Sequence, residues 1–434
     1  MNRTTRVFPL KKDTLFKTKA LHWAQKYETN LWLDSNENDD KYGKFEGILA
    51  VGAHAVLSCT AKDSFQKLKQ FRKSTNDCIF GYLGYDLKND VENLQSQNDD
   101  QLFFPDLYFF QPQKILFFTK DKVRFEYLNS IQTEIEMDYE SISNFSETQT
   151  PSKTPEVHIQ SKIEKKEYVD KVKQLLNHIQ KGRLYEANFC QEFYAQNAQI
   201  TPLEVYKKLN NISSPPFACF GKIKDKYIVS ASPERYLQKN KNTVRSQPIK
   251  GTAKRSEDLA LDQALKKSLM EDPKERAENI MIVDLVRNDL SRLSEKGSVH
   301  VEELCEVYSF KQVHQMISTI SSTVDLKMDE VNLIKNTFPM GSMTGAPKVS
   351  AMEIIEELEE TKRGLYSGAI GYITKEGDFD FNVVIRSILY NATQQYLSFS
   401  VGSAITAMSD PEKEYDECLL KAKAMRKVLT KTYE

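Results

Sequence analysis

Apolar residues recur along this 434-residue chain in two rhythms. Before about residue 141, short β-rich runs such as 113–118 and 122–127 are separated by turn residues, which predicts strands. Later the helical rhythm enters. Tyr168, Val172, Leu175, Leu176 and Ile179 fall on one helical face, and Gly182 suits the helix end. Phe379, Phe381, Val383 and Ile385 alternate, as one face of a strand does. Ser409-Asp410-Pro411-Glu412 predicts a helix start, with a capping side chain followed by Pro where a missing N–H costs nothing. The helix that follows is expected to bury Tyr415, Cys418, Leu419, Ala422 and Met425. The mixture predicts an α+β protein, although spacing alone does not order its strands.

The run 141–160 is rich in Ser, Thr and Pro and reads as a surface crossing. It places a linker at 146–160, between a β-rich region 1–145 and a second region 161–434. Lys and Arg (60) nearly cancel Asp and Glu (61), so no global field points to nucleic acid or an anionic membrane. The six cysteines form no C-x-x-C pair, which argues against zinc or a disulfide framework. No run approaches the ~20 apolar residues of a membrane span, and the first residues hold no signal-peptide core. A reduced, cytoplasmic setting is expected.

Chemistry enters with paired carboxylates. Glu275 and Glu278 share one helix face at i, i+3, and so do Glu414 and Glu417. A few hard oxygens with waters retained suit Mg²⁺, whose shell a substrate oxyanion often completes; a solvated helix face is the bland alternative. Phe338 to Lys348, FPMGSMTGAPK, reads as small residues and hydroxyls leading into an amphipathic helix, an N-terminus able to meet an anion. Gly402-Ser403-Ala404, after a strand at 397–401, is a second candidate turn. Arg386 is a lone cation in the apolar run VVIRSIL and needs a partner. Two turns and one Arg would suit a small ligand with two carboxylates.

These segments, together with SPER (232–235), PIKGT (248–252), ERAENIMIVDLVRNDL (275–290), RGLYSGAIGY (363–372) and EYDE (414–417), resemble the chorismate-binding enzyme family. The match runs in order over about residues 160–430. LWLDSNEN (31–38) and GYLGYDLKND (81–90) resemble the family's companion N-terminal region. The resemblance implies two large β-sheets packed face to face, helices outside, and the active site between the sheets. It implies that Glu278 and Glu417 hold Mg²⁺, supported by Glu275 and Glu414. It further implies that Tyr366, Arg386 and backbone near Gly402 and Ala404 hold a substrate carboxylate. Gly251, Thr252 and Ser342 are implied substrate contacts.

Chorismate carries a hydroxyl at C4 that leaves only with help from a general acid. Glu234 matches the family's acid and must be held protonated by burial or a nearby carboxylate. Lys250 is the discriminating position: C2-aminating members carry Ala in PIAGT, whereas C4-aminating members carry Lys. A lysine amine can attack C2 and expel the C4 hydroxyl; ammonia then attacks C4 and expels the lysine. An amine of ordinary pKa ~10.4 is mostly protonated at pH 7, so Lys250 is expected to be desolvated or near other cations. The implied activity is amination of chorismate at C4. Anthranilate-forming or isochorismate-forming chemistry is the alternative, and the complete Glu set with Lys250 argues against a non-catalytic binding protein.

Three positions depart from the family pattern. Gln315 stands where a His is usual, with His314 one residue early and facing elsewhere; Ala404 replaces a Gly. Glu186 aligns with a lysine of isochorismate-forming members and a Gln of many others, and its role is left open between helping ammonia and pairing with a neighbour. No nucleophilic Cys lies in a Gly-rich elbow with a downstream His-x-Glu. Ammonia is therefore expected from solution or from a separate glutamine amidotransferase subunit, forming a heterodimer.

Overall fold

In the computed structural model, which describes residues 2–10, 15–38, 40–146 and 157–430, the strand Leu107–Phe118 is bonded along both edges. One edge carries Gly47–Cys59; the other carries Ile79–Leu83 and then Lys122–Leu128. Two antiparallel rows of strands diverge from it. The first continues from Gly47–Cys59 through Thr29–Asp34, Phe217–Ile223, Lys226–Ser232, Ser387–Asn391 and Tyr396–Thr406 to Glu186–Ala195. The second runs from Ile79–Leu83 through Ala369–Ile373, Phe379–Val383, Arg235–Asn240 and Thr243–Gln247 to Val313–Thr323. Ile249–Lys254 and His300–Ser309 pair with that last strand.

The rows pack face to face through one apolar face of each, and the strands of the first row are apolar on both sides. In the first row Trp32, Leu49, Val51, Val229 and Ile388 join one cluster, while their chain neighbours Leu31, Ile48, Ala50, Ile228 and Leu389 join another. This is period-two alternation with both faces buried. The first cluster is shared with the helices Phe16–Ala24, Lys165–Gln180, Pro202–Ser213, Lys348–Leu358 and Pro411–Leu429. The second fills the space between the rows and takes in Phe379 and Phe381 of the second row and Ile282 and Val283 of the helix Pro273–Ser291. The expected α+β architecture of two packed sheets with outer helices is thus present.

The predicted elements fall largely where the rhythm put them. Strands Leu107–Phe118 and Lys122–Leu128 contain the two early runs. The helix Lys165–Gln180 ends just before Gly182, whose φ of +73° is the left-handed turn that favours glycine. Asp410 caps the last helix by accepting from the N–H groups of Glu412 and Lys413, with Pro411 next. Cys418, Ala422 and Met425 of that helix are buried; Tyr415 and Leu419 are half-buried.

Two readings need correction. The strand Phe379–Val383 stops before Ile385, and Arg386 has a φ of +53° between two strands. Gly402 and Ala404 lie inside Tyr396–Thr406, paired with Cys190 and Asn188, and do not form a turn. A Cβ at Gly402 would come within 2.5 Å of the Cys190 sulfur, so this glycine serves close packing. Residues 147–156, the centre of the predicted linker, lie outside the described residues. Thr29–Asp34 pairs with Phe217–Ile223, and Ile79–Leu83 with Ala369–Ile373, so strands from both sides of that segment share the same rows.

Gly81 and Gly371 face each other where the second row leaves Leu107–Phe118. A Cβ on Gly81 would lie 2.0 Å from the Tyr108 carbonyl oxygen, a contact that backbone cannot relieve. Gly81→Ala is expected to destabilise by about 1–3 kcal/mol, the scale of overpacking. Thermal unfolding checks this; a midpoint within a degree of the parent would show that the ladder has room.

Candidate active site

A cavity of about 940 Å³ opens between the two rows, along Ile249–Lys254 and Tyr396–Thr406, with the helices Pro273–Ser291 and Pro411–Leu429 at its mouth. It is lined by Glu234, Lys250, Gly251, Thr252, Ser342, Tyr366, Arg386, Gly402 and Ala404, and by Glu275, Glu278, Glu414 and Glu417. Residues as far apart in sequence as 234 and 417 therefore face one space.

Local structure explains how each side chain reaches it. Glu234 precedes the strand Arg235–Asn240, and Arg235 lies on the opposite side, held by Asp380 at 2.9 Å and by Asp40. Alternation turns Glu234 inward, where it is 4% exposed. Ile249–Lys254 breaks register between Ile249 and Thr252, so Lys250 and Gly251 form a bulge against Val313–Thr323. Gly251 has a φ of +93°, and a Cβ there would also crowd the Glu275 carboxylate. The bulge aims the Lys250 ammonium into the cavity, and Asn279 donates to the Lys250 carbonyl oxygen at 3.5 Å.

The segment 341–348 is built differently from the predicted helix-terminal anion site. Gly341–Met343 is a single tight turn, and Gly345–Ala346 pairs with Glu186 and Ala187. The helix begins only at Lys348, whose ammonium is taken by Asp289 at 2.5 Å. Of the segment, Ser342 and Met343 line the cavity. The Ser342 hydroxyl donates to Glu234 at 2.6 Å, so its partner here is the acid.

Electrostatics sort the carboxyl groups. Burial pushes Glu234 up to about 7, against the opposing pull of the Ser342 hydroxyl and Lys250. Burial likewise pushes Glu278 up to about 7, with Lys250 opposing and Glu186 adding. Burial and Glu417 raise Glu275. Glu417 is drawn below the usual range because Lys421, at 2.5 Å, outweighs its burial. For Lys250, burial acts to lower the basicity, but Glu186, Glu278 and Glu234 outweigh it and the ammonium form is favoured. The expectation of neighbouring cations is therefore corrected: carboxylates surround this lysine, and Glu186 accepts its hydrogen bond at 2.9 Å.

Arg386 makes one hydrogen bond, to the Lys421 carbonyl oxygen at 3.3 Å, and no ion pair among the described residues. Its donors face the cavity near the buried Tyr366 hydroxyl, an arrangement ready for a carboxylate. Glu278 and Glu417 face the cavity from two helices, and Glu278 Oε1 is buried without a hydrogen-bond partner. Lys274 lies 3.8 Å from Glu278 and 3.6 Å from Glu414. Among the described residues no three acidic, His or Cys side chains converge on one point. An ion here would have at most two protein carboxylates, which fits a cation that keeps waters.

Sequence reasoning missed the cations. Lys254, Arg255, Lys274, Lys311, Lys421, Lys423 and Lys427 line the cavity, although the chain's net charge of −1 hides them. Only the clustering of lysines within 421–427 hinted at it. Gln315 lines the cavity with an unpartnered Oε1, whereas His314 turns away to Asp262 and Ser309.

The pattern described as chorismate binding enzyme matches residues 16–427. The chain belongs to that family. It is 32% identical over 349 residues to an aminodeoxychorismate synthase component 1 from Klebsiella aerogenes, covering 78% of this chain and 74% of that one. A probable chloroplastic aminodeoxychorismate synthase from Oryza sativa subsp. japonica is 41% identical over 268 residues. That alignment covers 61% of this chain and spans only 30% of the rice protein's length. The crystal structure of anthranilate synthase component I from Streptococcus pneumoniae TIGR4 superposes with a TM-score of 0.80 at 26% identity, covering 89% of this chain and 93% of that one.

Glu234 is expected to titrate near neutrality. Difference infrared spectroscopy against Glu234→Gln should show its protonated carbonyl band fading around pH 7. Ser342→Ala should move that midpoint upward, because the lost hydrogen bond favoured the carboxylate. A midpoint near the ordinary 4.5 would contradict its burial.

Proposed function

We propose that this chain aminates chorismate at C4, giving 4-amino-4-deoxychorismate, a precursor of p-aminobenzoate and folate. The observation that carries the reading is Lys250 on its bulge, sharing a cavity with a buried acid, Glu234. The names of the Klebsiella and rice relatives support it. The cation-lined cavity suits a substrate with two carboxylates.

Arg386 and Tyr366 hold one substrate carboxylate. Gly251, Thr252, Gly402 and Ala404 shape the wall against the ring. Glu278 and Glu417 hold Mg²⁺, with Glu275 and Glu414 in support; the ion, when bound, supplies positive charge to the other carboxylate. Lys250 Nζ forms a bond to C2 as the ring double bonds shift and the C4–O bond breaks. Glu234 delivers its proton to the departing oxygen, which leaves as water. Ammonia then bonds to C4, the C2–Nζ bond breaks, and a proton from the new ammonium restores Glu234. Ser342 keeps Glu234 oriented between these steps.

The ammonia comes from a separate glutamine amidotransferase subunit that forms a heterodimer with this chain. A cytoplasmic location agrees with six unpaired cysteines. No helix among the described residues is long and apolar enough to cross a membrane.

Product analysis with chorismate, Mg²⁺ and an ammonium salt tests the reading. A 4-amino product is expected; anthranilate, or isochorismate without ammonia, would replace it with the alternative chemistry. Lys250→Ala should lose about 10²-fold or more of the 4-amination, the scale of a positioned catalytic group, while still binding chorismate. Glu278→Gln should weaken Mg²⁺ binding by calorimetry, and an unaltered titration would remove Glu278 from the metal site.

A further inference from the structure

Glu186 has no role in the steps above, yet it is the group in contact with the proposed nucleophile. It begins the strand Glu186–Ala195, is 1% exposed, and lies behind Lys250 as seen from the cavity. Its Oε1 accepts from Lys250 Nζ at 2.9 Å, and its Oε2 is buried with no hydrogen-bond partner. Its backbone is fixed on both sides, opposite Ala346 and opposite Thr406.

We infer that Glu186 is the base that takes a proton from the Lys250 ammonium and so generates the attacking amine, an inference that rests on the amination reading above. An ammonium has no lone pair, so a proton must leave Nζ before the C2–N bond can form. The carboxylates facing Lys250 are Glu186, Glu278, Glu234 and, further off on the last helix, Glu417. Glu234 must arrive carrying its own proton. Glu278 and Glu417 are committed to the metal. Glu186 alone is both uncommitted and hydrogen-bonded to Nζ. Passing the proton within this pair turns two buried charges into two neutral groups and changes no net charge, a low-cost step where solvent is excluded.

The proton count closes. Lys250 gives one proton to Glu186, and the amine bonds to C2 and becomes a secondary ammonium. The C4 hydroxyl leaves as water with the proton of Glu234. When ammonia bonds to C4 and lysine departs as the free amine, Glu186 returns its proton and the ion pair is restored.

In the proposed transfer the proton passes from one partner to the other without exchange with solvent, so the parent's nucleophile adds no pH dependence of its own. Glu186→Gln keeps the shape and the hydrogen-bond acceptor but cannot take a proton. Its lysine must lose its proton to solvent, and the rate should rise about tenfold per pH unit on the acid side. The measurement is 4-amination by parent and Glu186→Gln from about pH 6 to 7.5, with saturating Mg²⁺ and free NH₃ held constant. A rate at least tenfold below the parent at pH 6, climbing with pH, supports the role; a profile superposable on the parent's overturns it. If Glu186→Gln does not fold, Glu186→Asp takes its place. It should keep the parent's profile shape at a lower rate, and a new acid limb there would overturn the inference. Anthranilate or isochorismate from the parent would fail the amination reading itself, whereas a 4-amino product with an indifferent Glu186→Gln would fail only this role.

Discussion

The space between two apolar sheet faces is a poor place for a charge, and Lys250 is placed there. Burial pushes its amine toward neutrality, while the carboxylates of Glu186, Glu278 and Glu234 pull it back to the ammonium form. Removing one partner from such a buried pair typically costs about 3–5 kcal/mol, because the remaining charge is left unbalanced. Lys250 therefore depends on Glu186, its hydrogen-bond partner, for its charged state. Much of the surrounding architecture keeps them 2.9 Å apart.

That architecture is specific. The bulge at Lys250–Gly251 exposes the ammonium to the cavity, and Asn279 of the Pro273–Ser291 helix steadies its backbone. One residue earlier on that helix, Glu278 enters the cavity, so a single element serves the bulge and the carboxylate set. The short pairing of Gly345–Ala346 with Glu186–Ala187 anchors Glu186, and the turn just before it presents Ser342 to Glu234. The GSMTGAPK segment thus links Glu186 and Glu234 geometrically and does not form a helix-terminal anion site.

The same cavity separates two kinds of carboxyl group by environment. Glu234 is buried at the cavity wall and is raised to about 7, a value at which an acid can both hold and release a proton near neutrality. Glu417, at the mouth beside Lys421, is kept ionised. Arg386, with its donors barely used, and the surrounding lysines supply positive charge where a dianion would enter. Hence a nearly neutral chain lines this cavity with more cations than carboxylates.

Much of this was legible in the chain itself. The β-rich runs 113–118 and 122–127 marked strands, and the Asp410-Pro411 start and Gly182 stop marked helix ends, because these follow from local geometry. The motifs 232–235, 248–252, 275–290 and 414–417 named the residues that line the cavity, since family resemblance preserves residue types in order. Tertiary structure decided what those residues meet. The burial of Gly402 inside a strand depends on Cys190, more than two hundred positions away. The contact of Lys250 with Glu186 joins residues 64 apart in sequence. Spacing can place a carboxylate on a strand, but only the packing of one sheet against another brings it to an amine, and the favoured ammonium form of Lys250 follows from such contacts.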